Sequence, residues 1–372
     1  MQSHSSNLQP IDVGEYQQSE EYPDFRDCGE SEITLEGYTQ GALFCGIGGF
    51  CQGFMSKGAK NVFANELDGP TGRAYLNAVH CESFIPKNIC DLRANELPNV
   101  DILHGGFPCQ SFSIAGAQGG FHDTKGNGKL FFEIIRLLKE YGETKRPKVL
   151  VFENTANLRY GNAGNWLYRI RHELNKLDYW CSEENCINLN VLKHTGIPQN
   201  RDRLFIFAID SNIYDYNPFI AKMFTAQPRD RLDAFLLLDE QAPDNFYLDP
   251  SNRYFQEMSA CRVTEEHGDD TQLYHYRKYE TRLPERGICP TLTANMGRGG
   301  HNVPFLFDQW GLRKLTPREC LNLQGFPPEF KFPEGMSYTS QYAMIGNSVS
   351  PKIAKLLARR VSWFFDRYGH GH

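Results

Sequence analysis

The chain has 372 residues, 40% of them hydrophobic and 23% charged, with a formal net charge of −6, which is enough apolar content for a sizeable core and excludes a disordered or collagen-like chain. No apolar run approaches the roughly 18 residues a membrane span requires, and Met1 to Ser6 are polar, unlike a secretory leader, so a membrane protein and an exported one are excluded and a cytoplasmic location is expected. The 11 cysteines include no Cys-x-x-Cys pair, which argues for reduced thiols rather than a disulfide framework or a zinc site, and no metal site is expected.

Charge is unevenly spread along the chain. Residues 1–36 hold nine acids against one base, Arg26, a net −8, and show no hydrophobic periodicity; an acidic, largely disordered tail is expected there. From Tyr38 onward, the apolar runs Gly41 to Phe44, Asn61 to Ala64, Asp101 to Leu103, Val149 to Phe152 and Leu204 to Ile209 read as strands, alternating with helical patterns such as Lys129 to Leu138. That rhythm predicts an α/β fold with a mostly parallel sheet and helices on both faces, in a catalytic and cofactor-binding domain over residues 37–212. After Asp210 the rhythm stops. Residues 213–312, rich in Tyr, Phe, Arg and Pro, are expected to form a smaller second domain, with 313–340 as a hinge and 341–372, including a helix from Ser350 to Phe365, returning to the first. Cys45, Cys51, Cys81, Cys90, Cys181, Cys186 and Cys320 are expected to serve packing.

Two segments carry chemistry. Phe44-Cys45-Gly46-Ile47-Gly48-Gly49-Phe50 follows the first strand, and Glu66 follows the second, twenty residues after Gly46. Glycines at a strand-to-helix turn let the backbone approach a ligand, and a carboxylate at that spacing can accept from two ribose hydroxyls. Dinucleotide, nucleoside and S-adenosylmethionine binding all fit. The second segment, Gly105-Gly106-Phe107-Pro108-Cys109-Gln110, ends the strand Asp101 to Leu103. Pro108 fixes φ and the glycines permit close approach, so the Cys109 thiol is projected from a strand end as a nucleophile requires. A lone cysteine is more often a small buried hydrophobe; the surrounding motifs decide the matter.

Those motifs are Phe-x-Gly-x-Gly-Gly at 44–49, Asn65-Glu66-x-Asp68, Asp91, Gly106-Phe107-Pro108-Cys109-Gln110, Glu153-Asn154, Gln199-x-Arg201-x-Arg203, Leu315-Thr316-Pro317-Arg318-Glu319 with Gln324-Gly325-Phe326-Pro327, and Gly346-Asn347-Ser348-Val349. In order and spacing the chain closely resembles the DNA (cytosine-5) methyltransferases, from Gly41 to the end except for the variable middle. The resemblance implies a Rossmann-like S-adenosylmethionine-dependent fold. It assigns Cys109 as the thiolate that adds to cytosine C6, Glu153 as the acid at N3, Arg203 to the cytosine O2 and Arg201 to orienting the catalytic carboxylate. For the cofactor it implies that Phe44 stacks on adenine, Glu66 holds the ribose, Asp91 receives the adenine amino group and Asn347 meets the methionine end. Gly46, Gly48, Leu67 and Leu130 line the same pocket, Leu67 being as well explained by core packing.

Two departures stand out: Glu153-Asn154-Thr155 replaces the usual Glu-Asn-Val, and Asp123 to Lys129 is longer and more basic than the family's Asp-x-Arg-Gly. In the family the stretch 110–128 closes over DNA and the variable domain, here 213–312, reads the recognition sequence. Residues 271–318 contain eight bases against three acids, a local +5, which a phosphate-binding face and a solvated surface explain equally well. Ser111, Arg277, Lys278, Arg282 and Arg298 are the candidate DNA contacts, and Arg286 shares the stretch. The expected substrate is double-stranded DNA, met by a monomer near the nucleoid, with any cognate restriction endonuclease acting separately. The rivals are a tRNA cytosine-5 methyltransferase, which usually carries a Cys-Phe-Thr tripeptide absent here, a Rossmann oxidoreductase, which leaves Pro108-Cys109 idle, and a catalytically silent DNA-binding relative, against which Cys109 and Glu153 argue.

Overall fold

The computed structural model describes residues 33–108, 129–262, 270–277, 279–298 and 302–369. Five parallel strands form the centre of the sheet: β1 (Thr39–Leu43), β2 (Lys60–Asn65), β3 (Ser83–Ile85), β4 (Ile102–Gly106) and β5 (Val149–Thr155), in the order β3-β2-β1-β4-β5. Beyond β5, the long strand β8 (Asp202–Asp210) pairs antiparallel and carries β6 (Tyr179–Trp180) and β7 (Cys186–Asn190). The predicted, mostly parallel sheet is present. Its first strand begins two residues before Gly41 and stops at Leu43, because Phe44 turns into a left-handed backbone with φ of +51°.

Near-continuous apolar runs make strands that must be covered on both faces. On one face Leu43, Leu103, Leu150, Phe152, Leu204 and Ile206 share a core with Phe131 and Ile134 of α3 (Leu130–Lys145) and Leu167 and Ile170 of α4 (Asn165–Asn175). Alternate residues face the other way: Ala42 and Ala64 pack on Cys51 of α1 (Gly49–Met55) and Tyr75 of α2 (Gly69–Ala78), and the Phe50 ring meets Phe205 edge-on. The C-terminal helix, Pro351–Tyr368, lies against α1. Gly142, at φ +67°, breaks α3 near its end. Among the described residues no helix is long and apolar enough to cross a membrane.

Ordered structure starts earlier than residue 37. Leu35 is fully buried and its N–H donates to the Lys57 carbonyl at 2.6 Å, so the boundary expected after residue 36 falls inside the folded unit, Ile33–His372. Cys51, Cys181, Cys186 and Cys320 are buried as expected of packing residues, but Cys90 is exposed.

Within residues 213–312 the chain forms short turns, a helix at Arg253–Ala260, the hairpin His275–Arg277 with Glu280–Arg282, and the strand Phe305–Phe307, which pairs with Leu312–Lys314. One small core, around Met258, Tyr274, Tyr276, Phe305 and Leu312, belongs to this segment and its edge. Other apolar residues of the segment, among them Leu232, Leu292 and Met296, share a core with Leu315, Leu321 and Ile345. The helix Pro317–Gln324 is built from local signals: Pro317 in its first turn, a reciprocal Thr316–Glu319 capping box, and Gly325 in the left-handed conformation after it.

Candidate active site

The strand order reverses between β1 and β4, and in an open α/β sheet the crevice outside the carboxyl ends of strands at such a switch point is where ligands bind. Both segments singled out in the sequence leave the sheet there. After β1, Gly46 and Gly48 take φ of +56° and +86°. The turn is tied to the end of β2 twice: Cys45 N–H donates to the Asn65 carbonyl, and Gly46 N–H donates to Glu66 Oε2, both at 3.0 Å. The other Glu66 oxygen accepts from Asp68 N–H at 3.0 Å. Burial pushes the Glu66 carboxyl above its ordinary pKa, opposed by those two N–H donors.

The two glycines differ in what surrounds them. A side chain at Gly48 would collide with Val79, 2.6 Å away, whereas among the described residues nothing lies within 4 Å of the position a Gly46 Cβ would take. The turn therefore fronts open space that a ligand can fill, and the residues fit S-adenosylmethionine. Phe44 is half-buried beside it; Asp91 is exposed on the 3-10 turn Ile89–Asp91; Leu130 is half-buried at the start of α3; and Asn347 is exposed at the end of the helix Tyr338–Asn347. Leu67 is 62% exposed, so core packing does not account for it.

At the end of β4 the chain is held from β5. Gly106 pairs with Glu153 in the parallel register, and a Cβ on Gly106 would stand 3.0 Å from Glu153 Oε2, so glycine here makes room for the carboxylate. Buried Asn154 donates from Nδ2 to the Phe107 carbonyl at 3.2 Å, while the Phe107 ring packs on Phe131 with centroids 5.6 Å apart. Phe107 is thus held on both sides, two residues before Cys109. Cys109 itself, Ser111, Lys278 and the stretch 110–128 lie outside the described residues.

Glu153 is buried among apolar strand residues, and burial pushes its carboxyl above the usual range, against the pull of Arg203 and Arg201. The ion pair is made by Arg203, whose Nε lies 2.9 Å from Glu153 Oε1. This differs from the orienting role that the resemblance gave to Arg201. Arg201 is 1% exposed and donates instead to the carbonyls of Leu292, Gly346 and Ser348 at 2.8–2.9 Å. It is the centre of a buried polar hub. Gln199 donates to the Leu323 carbonyl and to Gln324 Oε1, and Gln324 donates to the Ser348 carbonyl at 2.7 Å. The hub joins the start of β8 to the segment bearing Asn347. Its members were visible in sequence as motif residues, but nothing local shows which backbone carbonyls they meet. Arg201→Met should strand the Leu292 and Gly346 carbonyls, the Ser348 carbonyl keeping Gln324, and destabilise the fold by about 2 kcal/mol or more, read as a lowered Tm by calorimetry. An unchanged Tm would remove the hub's structural role.

The basic stretch is less available than its charge suggests. Arg313 is completely buried, paired with Asp308 at 2.6 Å and Glu319 at 2.8 Å, and Arg318 is committed to Asn322 and the Phe330 carbonyl. Arg286 bonds the Asp270 carbonyl. Arg277, Arg282 and Arg298 are exposed, Arg282 with Glu280 at 2.8 Å.

The family described as C-5 cytosine-specific DNA methylase matches residues 38–363. The chain is 36% identical to the type II methyltransferase M.Bsp6I of Bacillus sp. (strain RFL6), over 86% of this chain and 97% of that one. It is 32% identical to the type II methyltransferase M.HhaI of Haemophilus parahaemolyticus, over 86% and 92%. The structure of the Entamoeba histolytica methyltransferase EhMeth shares the fold, with a TM-score of 0.62 at 16% identity, covering 89% of this chain and 98% of that one.

Proposed function

The chain belongs to the C-5 cytosine-specific DNA methylase family, and we propose that the residues gathered at the switch point methylate C5 of a cytosine flipped out of a specific duplex DNA sequence, with Cys109 as nucleophile and Glu153 as acid. The observation that carries this reading is the joint placement of Gly106, Glu153 and Asn154, which leaves a buried carboxyl beside Gly106, three residues before the thiol, with the intervening Phe107 carbonyl held by Asn154. Cytosine C5 is a poor nucleophile. Addition of the Cys109 thiolate to C6, with Glu153 giving a proton to N3, turns the ring into an enamine whose C5 takes the methyl group. When the C5 proton leaves, the C6–S bond breaks and the thiolate is restored. Arg203, anchored on Glu153 through Nε and on the Asp202 carbonyl through Nη1, has Nη2 to offer the cytosine O2 and adds positive charge that favours the thiolate.

S-adenosylmethionine, when bound, supplies the electrophilic methyl. Phe44, Gly46, Gly48, Glu66, Leu67, Asp91, Leu130 and Asn347 would hold it: Glu66 on the ribose hydroxyls, Phe44 and Leu67 against the adenine, Asp91 on its amino group, Asn347 at the methionine end. The target must leave the stack, at a cost of a few kcal/mol, and exposed Arg277, Arg282 and Arg298 are placed to meet DNA. The relatives named above are type II methyltransferases. We extend that to this chain as a monomeric, cytoplasmic modification enzyme acting on the nucleoid, apart from any cognate endonuclease. Bisulfite sequencing of DNA from cells expressing the protein should show 5-methylcytosine at one recurring sequence. Methylation confined to tRNA, or none, overturns the reading.

Sequence recognition is assigned to 213–312, because the motif residues of the chemistry lie outside it. Exchanging this segment for that of a relative with another target should transfer the relative's recognition sequence, scored by the same sequencing. An active chimera that kept the original target would place recognition elsewhere.

A further inference from the structure

A cleft of about 850 Å³ opens between the later turns of α1, the start of the C-terminal helix and the segments around Phe235 and Phe326. None of the residues given above to cytosine, cofactor or DNA lines it. Its size is that of a small-molecule site.

Donors gather on two of its walls. The C-terminal helix, 18 residues long, starts here with Pro351 and Lys352, and its N-cap Ser350 makes no side-chain capping bond. The first N–H groups of that helix therefore lack the usual acceptor, at the positive end of its dipole. Ser350 is 2% exposed, yet its Oγ has no partner among the described residues. That oxygen lies 3.2 Å from where a Cβ on Gly325 would stand, and Gly325 is part of the cleft wall. On the α1 wall the Gln52 amide nitrogen is likewise buried without a partner among the described residues. Buried polar groups left unpaired cost stability, so a hydroxyl and an amide in that state beside one cleft point to a ligand that bonds them. Lys352 and Lys355, three residues apart on the helix, are exposed at the same cleft, and among the described residues neither has an ion-pair partner. Positive charge, side-chain donors and a helix N-terminus together suit a phosphate.

The remaining walls differ in chemistry. Phe235, Phe326 and Pro327 supply flat apolar surface, and the exposed carboxylates Asp230 and Glu329 can accept from N–H groups. A phosphate joined to a flat ring that carries N–H donors is a nucleotide.

We propose that this cleft is a second ligand site and takes a free mononucleotide, with its phosphate at the start of the C-terminal helix by Lys352 and Lys355 and its base against Phe235 and Phe326. The site adjoins the cofactor turn without sharing its residues: Val79, which a Gly48 Cβ would meet at 2.6 Å, also lines the cleft. The inference does not depend on the DNA-methylating reading.

The full-length protein is titrated by calorimetry with the adenosine, guanosine, cytidine and uridine 5′-monophosphates, with their nucleosides and with inorganic phosphate. Saturating S-adenosylhomocysteine keeps the cofactor site filled throughout. At least one nucleotide should bind, about tenfold or more tightly than its nucleoside or inorganic phosphate. Lys352→Glu combined with Lys355→Glu alters only exposed side chains and should weaken that binding about tenfold or more. Ala234→Trp, at an exposed position on the wall, should block the cleft, and both variants should keep the wild-type Tm. The proposal is overturned if no nucleotide binds, if binding survives both variants, or if inorganic phosphate binds as tightly as any nucleotide, which would make the cleft a place for an adventitious ion only.

Discussion

Cys109→Ser should abolish methyl transfer while DNA and cofactor binding persist. The hydroxyl is nearly isosteric with the thiol but is a far weaker nucleophile, and no other described group offers a thiolate at this strand end. The anchoring of Phe107 by Asn154 and by Phe131 does not involve the Cys109 side chain, so the variant should fold. A paired measurement exposes the covalent step. On a duplex carrying 5-fluorocytosine at the target, fluorine cannot leave as the C5 proton does, and the wild type should form a denaturation-resistant adduct that Cys109→Ser cannot. If the wild type methylates the target yet traps no adduct, the covalent route through Cys109 is wrong.

Glu153→Gln should lower the rate about a hundredfold or more, the usual size of a general-acid contribution, with little change in cofactor affinity. Burial pushes this carboxyl upward, with Arg203 and Arg201 pulling against it. A raised pKa keeps the acid protonated to higher pH than an ordinary carboxylate, and the contribution is lost as pH rises through that value. Activity of the wild type should therefore fall on the alkaline side as Glu153 ionises. Glutamine has no such proton, so the variant's pH profile should lack that limb. An unchanged rate, or an alkaline limb that survives the substitution, would take the acid role from Glu153.

Much of the site was legible because its signals are local. Pro108 before Cys109, glycines after the first apolar run, and a carboxylate twenty residues beyond Gly46 are patterns a short stretch of chain displays by itself. The role of Arg203 and Arg201 was less legible. Both stand in one motif, and a guanidinium accepts many partners, so the choice between Glu153 and a set of carbonyls could not be made from spacing. The same ambiguity affected Arg313 and Arg318, whose charge counted toward a DNA-facing surface until their partners were known. Leu35, within a stretch whose acidity marked it as tail, was misplaced because burial depends on what the fold brings to it.

By itself the sequence determined the α/β class, the chain order of the strands and the family, and named the candidate groups of the site, because hydrophobic periodicity, turn residues and motif spacing act within a few residues of one another. Only the tertiary structure decided which groups meet. It placed Glu153 against Gly106 across a strand pair and joined Arg201 to the Gly346 carbonyl 145 residues away. It turned Arg313 inward to Asp308 and Glu319. A buried polar group must find a partner wherever the packed chain offers one, and that partner has no fixed distance along the sequence.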